Sequence, residues 1–278
     1  MQNFKVENKL LLTENKCQIK SLWQNNFLDD DEKTIEYFLE NVFENKKGVG
    51  TFLNNELIAM ILFLNAKIIL KNKKINSVYF YAVCTDEKHR NKCIMKELFS
   101  FAQAEARKQG YEICFLVPAN DGLFKMYEKF SFETTVFYEE KIFSRISCCN
   151  KKTVSIKTGF CYEDYCRVKE KQITDYAFVI WENKEFDFIF NQNRNDVSFV
   201  FIENGYAIYE KRNDLIHVFE ICGNEEDIIS CIFERELEVE KIILRTPSVR
   251  NKICFGMTKS LNNENYRISS VYFGMPYG

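Results

Sequence analysis

Histidine is nearly missing from this chain, with only His89 and His217 among 278 residues. Eleven cysteines are present, but none stands in a C-x-x-C spacing; Cys148 and Cys149 are adjacent, and Cys161 and Cys166 lie five apart. Zinc wants paired thiolates or imidazoles at fixed short spacings, so no metal is expected. The cysteine count is odd, and the N-terminal MQNFKVENKLLLTENK has neither a secretory apolar segment nor a cleavage site. Reduced, mostly buried thiols and a cytoplasmic location are therefore expected. No block of five like charges occurs and the formal net charge is −2. Non-specific nucleic-acid binding needs a basic surplus, so no such partner is expected. Even the apolar run ELIAMILFLNAKIIL breaks at Asn65 and Lys67, which argues against a membrane span. Short repeats and low-complexity segments are also absent.

What is present suits a packed globular chain: 46% hydrophobic and 28% charged residues, at a length for one large domain or two ordinary ones. In the first half, LLLT reads as a short strand and ENKCQIKSLWQNNF as an amphipathic helix. Asp29 to Asp31 can cap a second helix, TIEYFLENVFE, whose Ile35, Phe38, Leu39 and Phe43 form an apolar stripe. VGTFLN and ELIAMILFL read as a hairpin about Asn54–Asn55, and KIILKNKKINSVYFYAVCT as another turning at Lys71 to Asn76. A helix to Gly110, a buried strand YEICFLVPA, a short helix DGLFKMYEKF and a strand TTVFYEEKIF follow. The best boundary is SRISCCNKKTVS, residues 144 to 155, giving domains 1–146 and 147–278. The second half reads as helices over YEDYCRVKEKQI and YAFVIWENKEFDFIF, and then a three-strand meander turning at Asn204–Gly205 and Asn213–Asp214. A capped helix NEEDIISCIFEREL and a strand EVEKIILRTPS complete it. It echoes the first half in element order.

The loop HRNKCI, residues 89 to 94, joins the apolar strand SVYFYAV to the helical pattern IMKELFSFAQAEARKQG. At a helix start, the N–H groups of Asn91 to Met95 have no intrahelical partner and can bind phosphate, aided by the helix dipole. Arg90 and Lys92 add positive charge. Such cradles normally carry glycine, and this one has none, so a solvated basic turn is the plain alternative.

Two linked blocks resolve the loop's meaning. Val83-Cys84-Thr85 is followed by Arg90-Asn91-Lys92-Cys93-Ile94-Met95; further on, PANDGLFKMYEKFSF carries Asn120, Tyr127, Lys129, Ser131 and Phe132. Over roughly residues 5 to 143 the chain resembles the GNAT superfamily of acyl-CoA-dependent N-acetyltransferases. Those enzymes carry V-x-T/V, R-x-x-G-x-G/A and N-x-x-x-x-x-x-Y-x-K-x-G-F in this structural order. Cys93 and Met95 stand where the family has its first and second loop glycines, and Ser131 where it prefers a third.

The resemblance implies an α/β (α+β) fold with a central, mostly antiparallel mixed sheet flanked by helices. It implies acetyl-CoA as cosubstrate and a small-molecule or peptide amine as acceptor, attacked directly in a ternary complex. It further implies that Val83, Cys84 and Thr85 line the pantetheine arm, with a backbone N–H polarising the thioester carbonyl. Arg90, Asn91, Lys92, Cys93, Ile94 and Met95 would hold the pyrophosphate, Asn120 would hydrogen-bond the cofactor, and Tyr127 would protonate the departing thiolate. A phenol of ordinary pKa about 10 can donate to a thiolate whose conjugate acid is near 8.5. Read from the residues alone, Tyr127 belongs to an apolar stripe with Leu123, Met126 and Phe130, and Asn120 is a helix cap. No general base is evident, since SVYFYAV carries Tyr79 and Tyr81 where many relatives have a carboxylate. Asp29 to Asp31, Glu36 and Glu40 could line the acceptor site or simply cap and solvate helices. His89 borders the cradle, and Cys84 has no base beside it in sequence.

The second half resembles a degenerate GNAT-like domain, as in two-part acetyltransferases. Its strand-to-helix connection, EICGNEEDII, places Glu225, Glu226 and Asp227 where a pyrophosphate would be repelled, so it is expected to bind no CoA. A non-catalytic acyl-CoA-binding or protein-interaction module stays open as an alternative, and so does assembly as a homo-oligomer.

Overall fold

The computed structural model describes residues 6–71, 73–145, 156, 159–171, 176–192, 197–248, 253–262 and 271–272. Strand β1 (Val6–Leu10) pairs antiparallel with β2 (Gly48–Leu53), and between them lie helices α1 (Lys16–Asn26) and α2 (Glu32–Asn41). Of the apolar LLLT only Leu10 lies in the strand, as its last residue. Leu11, wholly buried, carries the chain into the core before a turn of 3-10 helix at Thr13–Asn15. Helix α1 buries Ile19, Leu22 and Trp23, while Asp31 caps α2 by accepting the Lys33 N–H.

Asn54 (φ 50°) and Asn55 (φ 71°) both adopt left-handed backbones, as a tight two-residue hairpin turn demands, and lead into β3 (Glu56–Leu70). Strand β3 runs unbroken for 15 residues, so the two expected hairpins share it. Its partner β4 (Lys73–Thr85) starts sooner than expected, three residues before Asn76. Along β4, side chains alternate by face. Phe80 packs on Phe99 of α3 (Ile94–Lys108), whereas Tyr81 packs on Trp23 of α1. The sheet is thus sandwiched, which explains why nearly every residue of β3 is buried.

Strand β5 (Ile113–Leu116) pairs parallel with β4 only over Ser77–Tyr79 and Ile113–Phe115, after which the two diverge. Helix α4 (Asp121–Glu128) and strand β6 (Glu133–Ser144) follow. Next come α5 (Tyr162–Glu170), β7 (Ala177–Trp181), α6 (Asn183–Gln192), β8 (Ser198–Ile202), β9 (Gly205–Arg212) and β10 (Leu215–Cys222). The chain closes with α7 (Glu225–Arg235), β11 (Lys241–Pro247), β12 (Ile253–Ser260) and β13 (Val271–Tyr272). The single helix expected over YAFVIWENKEFDFIF divides into β7 and α6. The five apolar residues of β7, all buried, add an antiparallel strand to β3 at Ala66–Ile69, which leaves the helix to begin at Asn183.

One sheet crosses both halves in the order β1-β2-β3-β4-β5-β12-β6-β11-β10-β9-β8. Strand β12, unanticipated from sequence, comes from the second half yet sits between β5 and β6 of the first. The boundary stretch 144–155 lies largely outside the described residues, as do Cys148 and Cys149. The nine described cysteines are all free thiols.

Candidate active site

Opposite Ile61, β4 carries two residues, Ala82 and Val83, between the pairs Leu62↔Tyr81 and Met60↔Cys84. This bulge puts Ala82 in the left-handed region (φ 47°) and removes the local ladder partner on β4. It lies where β4 leaves β5, so on that side the backbone from Ala82 to Thr85 lines open space rather than another strand.

That space has two parts, with Phe27, Val83, Leu123 and Tyr127 in the walls of both. The larger, of 590 Å³, is walled by Val83, Cys84 and Thr85 on one side, by Arg90 to Met95 below, and by Tyr127 of α4. Helix α3 starts at its floor. Cys93 stands before its first turn with φ 59° and ψ 5°, and Asn91 has φ 62°. Among the described residues, the N–H groups of Asn91 to Met95 have no acceptor; the first helical bonds are those of Lys96 and Glu97 to the Cys93 carbonyl, 3.1 and 3.4 Å. Five donors at a helix N-terminus suit a pyrophosphate such as that of CoA. Arg90 ties this loop down, donating through Nε to the Thr85 carbonyl (3.2 Å) and through Nη2 to Asn26 Oδ1 (2.8 Å). Lys92 donates to the Lys88 carbonyl at 2.9 Å.

The replaced glycines now have a physical account. Cys93 occupies a left-handed position that costs a side-chain-bearing residue about 1–2 kcal/mol. Met95 lies in regular helix, where no such penalty arises; its side chain simply adds to the cavity wall. Ser131 is also left-handed (φ 64°). There the Phe132 N–H reaches the Tyr127 carbonyl (3.2 Å) and the Ser131 N–H that of Glu128 (2.9 Å), a helix ending that favours glycine.

Tyr127 is buried against Phe99 and Phe132, fulfilling the apolar-stripe reading. It also borders both cavities, and burial pushes its phenol up to about 12. Its hydroxyl makes no hydrogen bond among the described residues. Asn120 is placed differently from the other predicted residues. It caps α4, accepting the Leu123 N–H at 3.3 Å, and does not line either cavity. Burial raises the Cys84 thiol well above its usual range, against the pull of Arg90, so it is no ready nucleophile. His89 borders the larger cavity.

The smaller cavity, of 220 Å³, opens between the diverging β4 and β5 and reaches Trp23, Phe27 and Asp30. Tyr79 and Tyr81 form its wall; burial and the neighbouring Tyr127 raise the Tyr79 phenol, which also hydrogen-bonds the Val117 backbone. Trp23 donates its indole N–H to Asp30 Oδ2 at 2.6 Å. The second half supports this wall from behind: Trp181 of β7 meets Tyr79 edge-on (5.7 Å, 90°), and Phe188 of α6 meets Tyr81 (6.1 Å). Of the acidic candidates, only Asp30 borders the cavity; Asp31 caps α2 and Glu36 pairs with Lys20 at 2.6 Å. Sequence reasoning missed Asn26, Phe27, Trp23 and the wall from the second half. They lie on separate elements, and no local pattern could have joined them.

The second half repeats the bulge, with Phe219 the extra residue of β10, but its strand-to-helix connection is shut. A Cβ at Gly223 (φ 114°) would meet the Asn204 carbonyl oxygen at 2.5 Å and Gly205 Cα at 2.7 Å. Beside the bulge, the interior holds a buried ion pair, Lys169 Nζ to Glu220 at 2.7 Å, joined by the Tyr206 hydroxyl.

A strand bulged where it parts from its parallel neighbour is thus followed by a donor-rich helix start. Residues 9–135 match the family model for the acetyltransferase (GNAT) domain. No curated protein matches the chain by sequence. Among solved structures, a GCN5-related N-acetyltransferase from Kribbella flavida is similar at TM-score 0.73 and 11% identity, covering 92% of this chain and 71% of that one. Eis1 from Mycobacterium abscessus is similar at TM-score 0.67 and 11% identity, over 86% of this chain and 65% of that one. A tandem GNAT protein from the clavulanic acid biosynthesis pathway gives TM-score 0.51 and 8% identity, over 94% and 100%. The GNAT fold therefore extends over most of the chain.

Proposed function

We propose that the protein transfers an acetyl group from acetyl-CoA to an amine, both substrates being bound together. The observation that carries this reading is the row of five acceptor-free N–H groups, Asn91 to Met95, opening onto a cavity that Tyr127 shares with a second, smaller one. Acetyl-CoA supplies the acyl group as a thioester; the C–N bond to the amine forms as the C–S bond breaks. The cradle holds the pyrophosphate, with Arg90 and Lys92 adding charge. Backbone beside the bulge, at Val83 to Thr85, guides the pantetheine arm, and a bulge N–H faces the carbonyl oxygen. Tyr127, kept protonated by burial, gives its proton to the departing sulfur, and the surplus proton of the attacking amine restores the phenol by way of water. Asn120 contributes by capping α4, the helix that carries Tyr127, rather than by touching the cofactor. The second half binds no CoA in this reading: Gly223 is closed against Asn204, and the acidic start of α7 opposes phosphate. Its work is to hold the acceptor wall through Trp181 and Phe188.

Thiol release from acetyl-CoA across a panel of amines tests this. Amine-dependent release is expected; CoA binding without release for any amine would instead support a non-catalytic module, the reading that Cys93 and Met95 in place of glycines favour.

A further inference from the structure

The smaller cavity carries more information than its place in the reaction. Its 220 Å³ equals about seven waters at ~30 Å³ each, room for a single ring or a short chain. Among the described residues that line it, Asp30 is the one charged side chain; the other walls are chiefly the rings of Trp23, Phe27, Tyr79, Tyr81 and Tyr127. A polycation would need several carboxylates and more space than this. Asp30 is also held ready: Trp23, itself fully buried, donates to Oδ2, and Oδ1 has no partner among the described residues. Its neighbour Asp31 is committed to the α2 cap.

We propose that the acceptor is a small monoamine with an apolar ring or chain, its ammonium met by Asp30 and its body packed between the aromatic walls. This rests on the acetyltransferase reading above and narrows it to one substrate class. Aromatic faces attract a cation and bury an apolar body at once, and a carboxylate makes the hydrogen bond charge-assisted. Tyr127 borders both cavities, so an amine seated here lies next to the end of the CoA site. Before attack the ammonium gives up one proton, which passes through the half-exposed Asp30 to water; the resulting neutral nitrogen forms the amide bond.

The test compares 2-phenylethylamine and hexylamine with spermidine and kanamycin, on the full chain. Two readouts are taken: thiol release with acetyl-CoA, and tryptophan fluorescence on amine titration with and without CoA, which needs no turnover. The monoamines should be preferred by about tenfold or more in kcat/KM. Asp30→Asn keeps an oxygen for the Trp23 bond but loses the charge. It should raise the monoamine KM about tenfold or more while leaving the KM for acetyl-CoA unchanged. Preference for spermidine or kanamycin, or an unchanged monoamine KM in the variant, overturns the proposal and leaves acetyl transfer standing. Monoamine binding without thiol release supports the pocket and sinks the acetyltransferase reading. Neither binding nor release for any amine overturns both.

Discussion

Met257 of β12 lies in register with Leu116, the last residue of β5, although 141 positions separate them, and on its other side it faces Thr134 of β6. The last long strand of the chain thus completes the sheet that carries the cradle and Tyr127. Met257 is wholly buried. Replacing it with alanine should cost about 2–5 kcal/mol. Because β12 joins both halves, urea unfolding should remain a single transition whether followed by tryptophan fluorescence or by far-UV dichroism. Two separated transitions would mean that the halves fold independently.

Cys93→Gly and Ser131→Gly each remove a left-handed strain of about 1–2 kcal/mol, less roughly 0.5–1 kcal/mol for the added chain freedom of glycine. Each should raise the melting temperature modestly. Since the donors of the cradle are backbone N–H groups whatever the side chain at 93, Cys93→Gly should change CoA affinity less than it changes stability. Calorimetric titration alongside thermal melts separates the two effects.

Tyr127→Phe should lower kcat by about 10²–10⁴ with little change in the KM for acetyl-CoA. Burial raises the phenol to about 12, so the acid form persists across the working range. The pH profile should therefore rise as the amine loses its proton and show no descending limb from Tyr127 below pH of about 10. The same raised pKa favours the folded protein below the unfolded value near 10, and that contribution is lost as pH climbs through about 12.

In the second half, burial pulls the Lys169 ammonium down and Glu220 pushes it up, with the net direction upward. Its stabilising share is present below the ordinary lysine value of about 10.4 and fades only in strong alkali. Lys169→Met leaves Glu220 buried without its cation and should cost about 3–5 kcal/mol. Lys169→Met with Glu220→Gln should recover part of that loss, since glutamine still accepts from Tyr206. Chemical denaturation of the single and double variants checks both.

Where a signal is local, the sequence carried it. Asn54–Asn55, the Asp31 and Asn224 caps, and the cradle with its Tyr127 helix all depend on residues a few positions apart. Strand β7 escaped because a short, wholly apolar run fits a buried strand or a helix equally well. Strand β12 escaped because its partners β5 and β6 lie more than a hundred residues earlier in the chain. The acceptor wall was hidden for the same reason: Trp23, Tyr79 and Trp181 meet only after the sheet has formed. Asp30 could be placed among the candidates but not chosen, because only the fold shows which carboxylate of the five faces the cavity.

The central claim is that the backbone from Asn91 to Met95 grips a pyrophosphate. Calorimetric titration of CoA against pantetheine, which shares the thiol arm but has no pyrophosphate, tests it most directly. CoA should bind saturably, about a hundredfold or more tighter than pantetheine, and weaken as salt is raised. Equal affinity for the two, or no heat with millimolar CoA, would contradict the account.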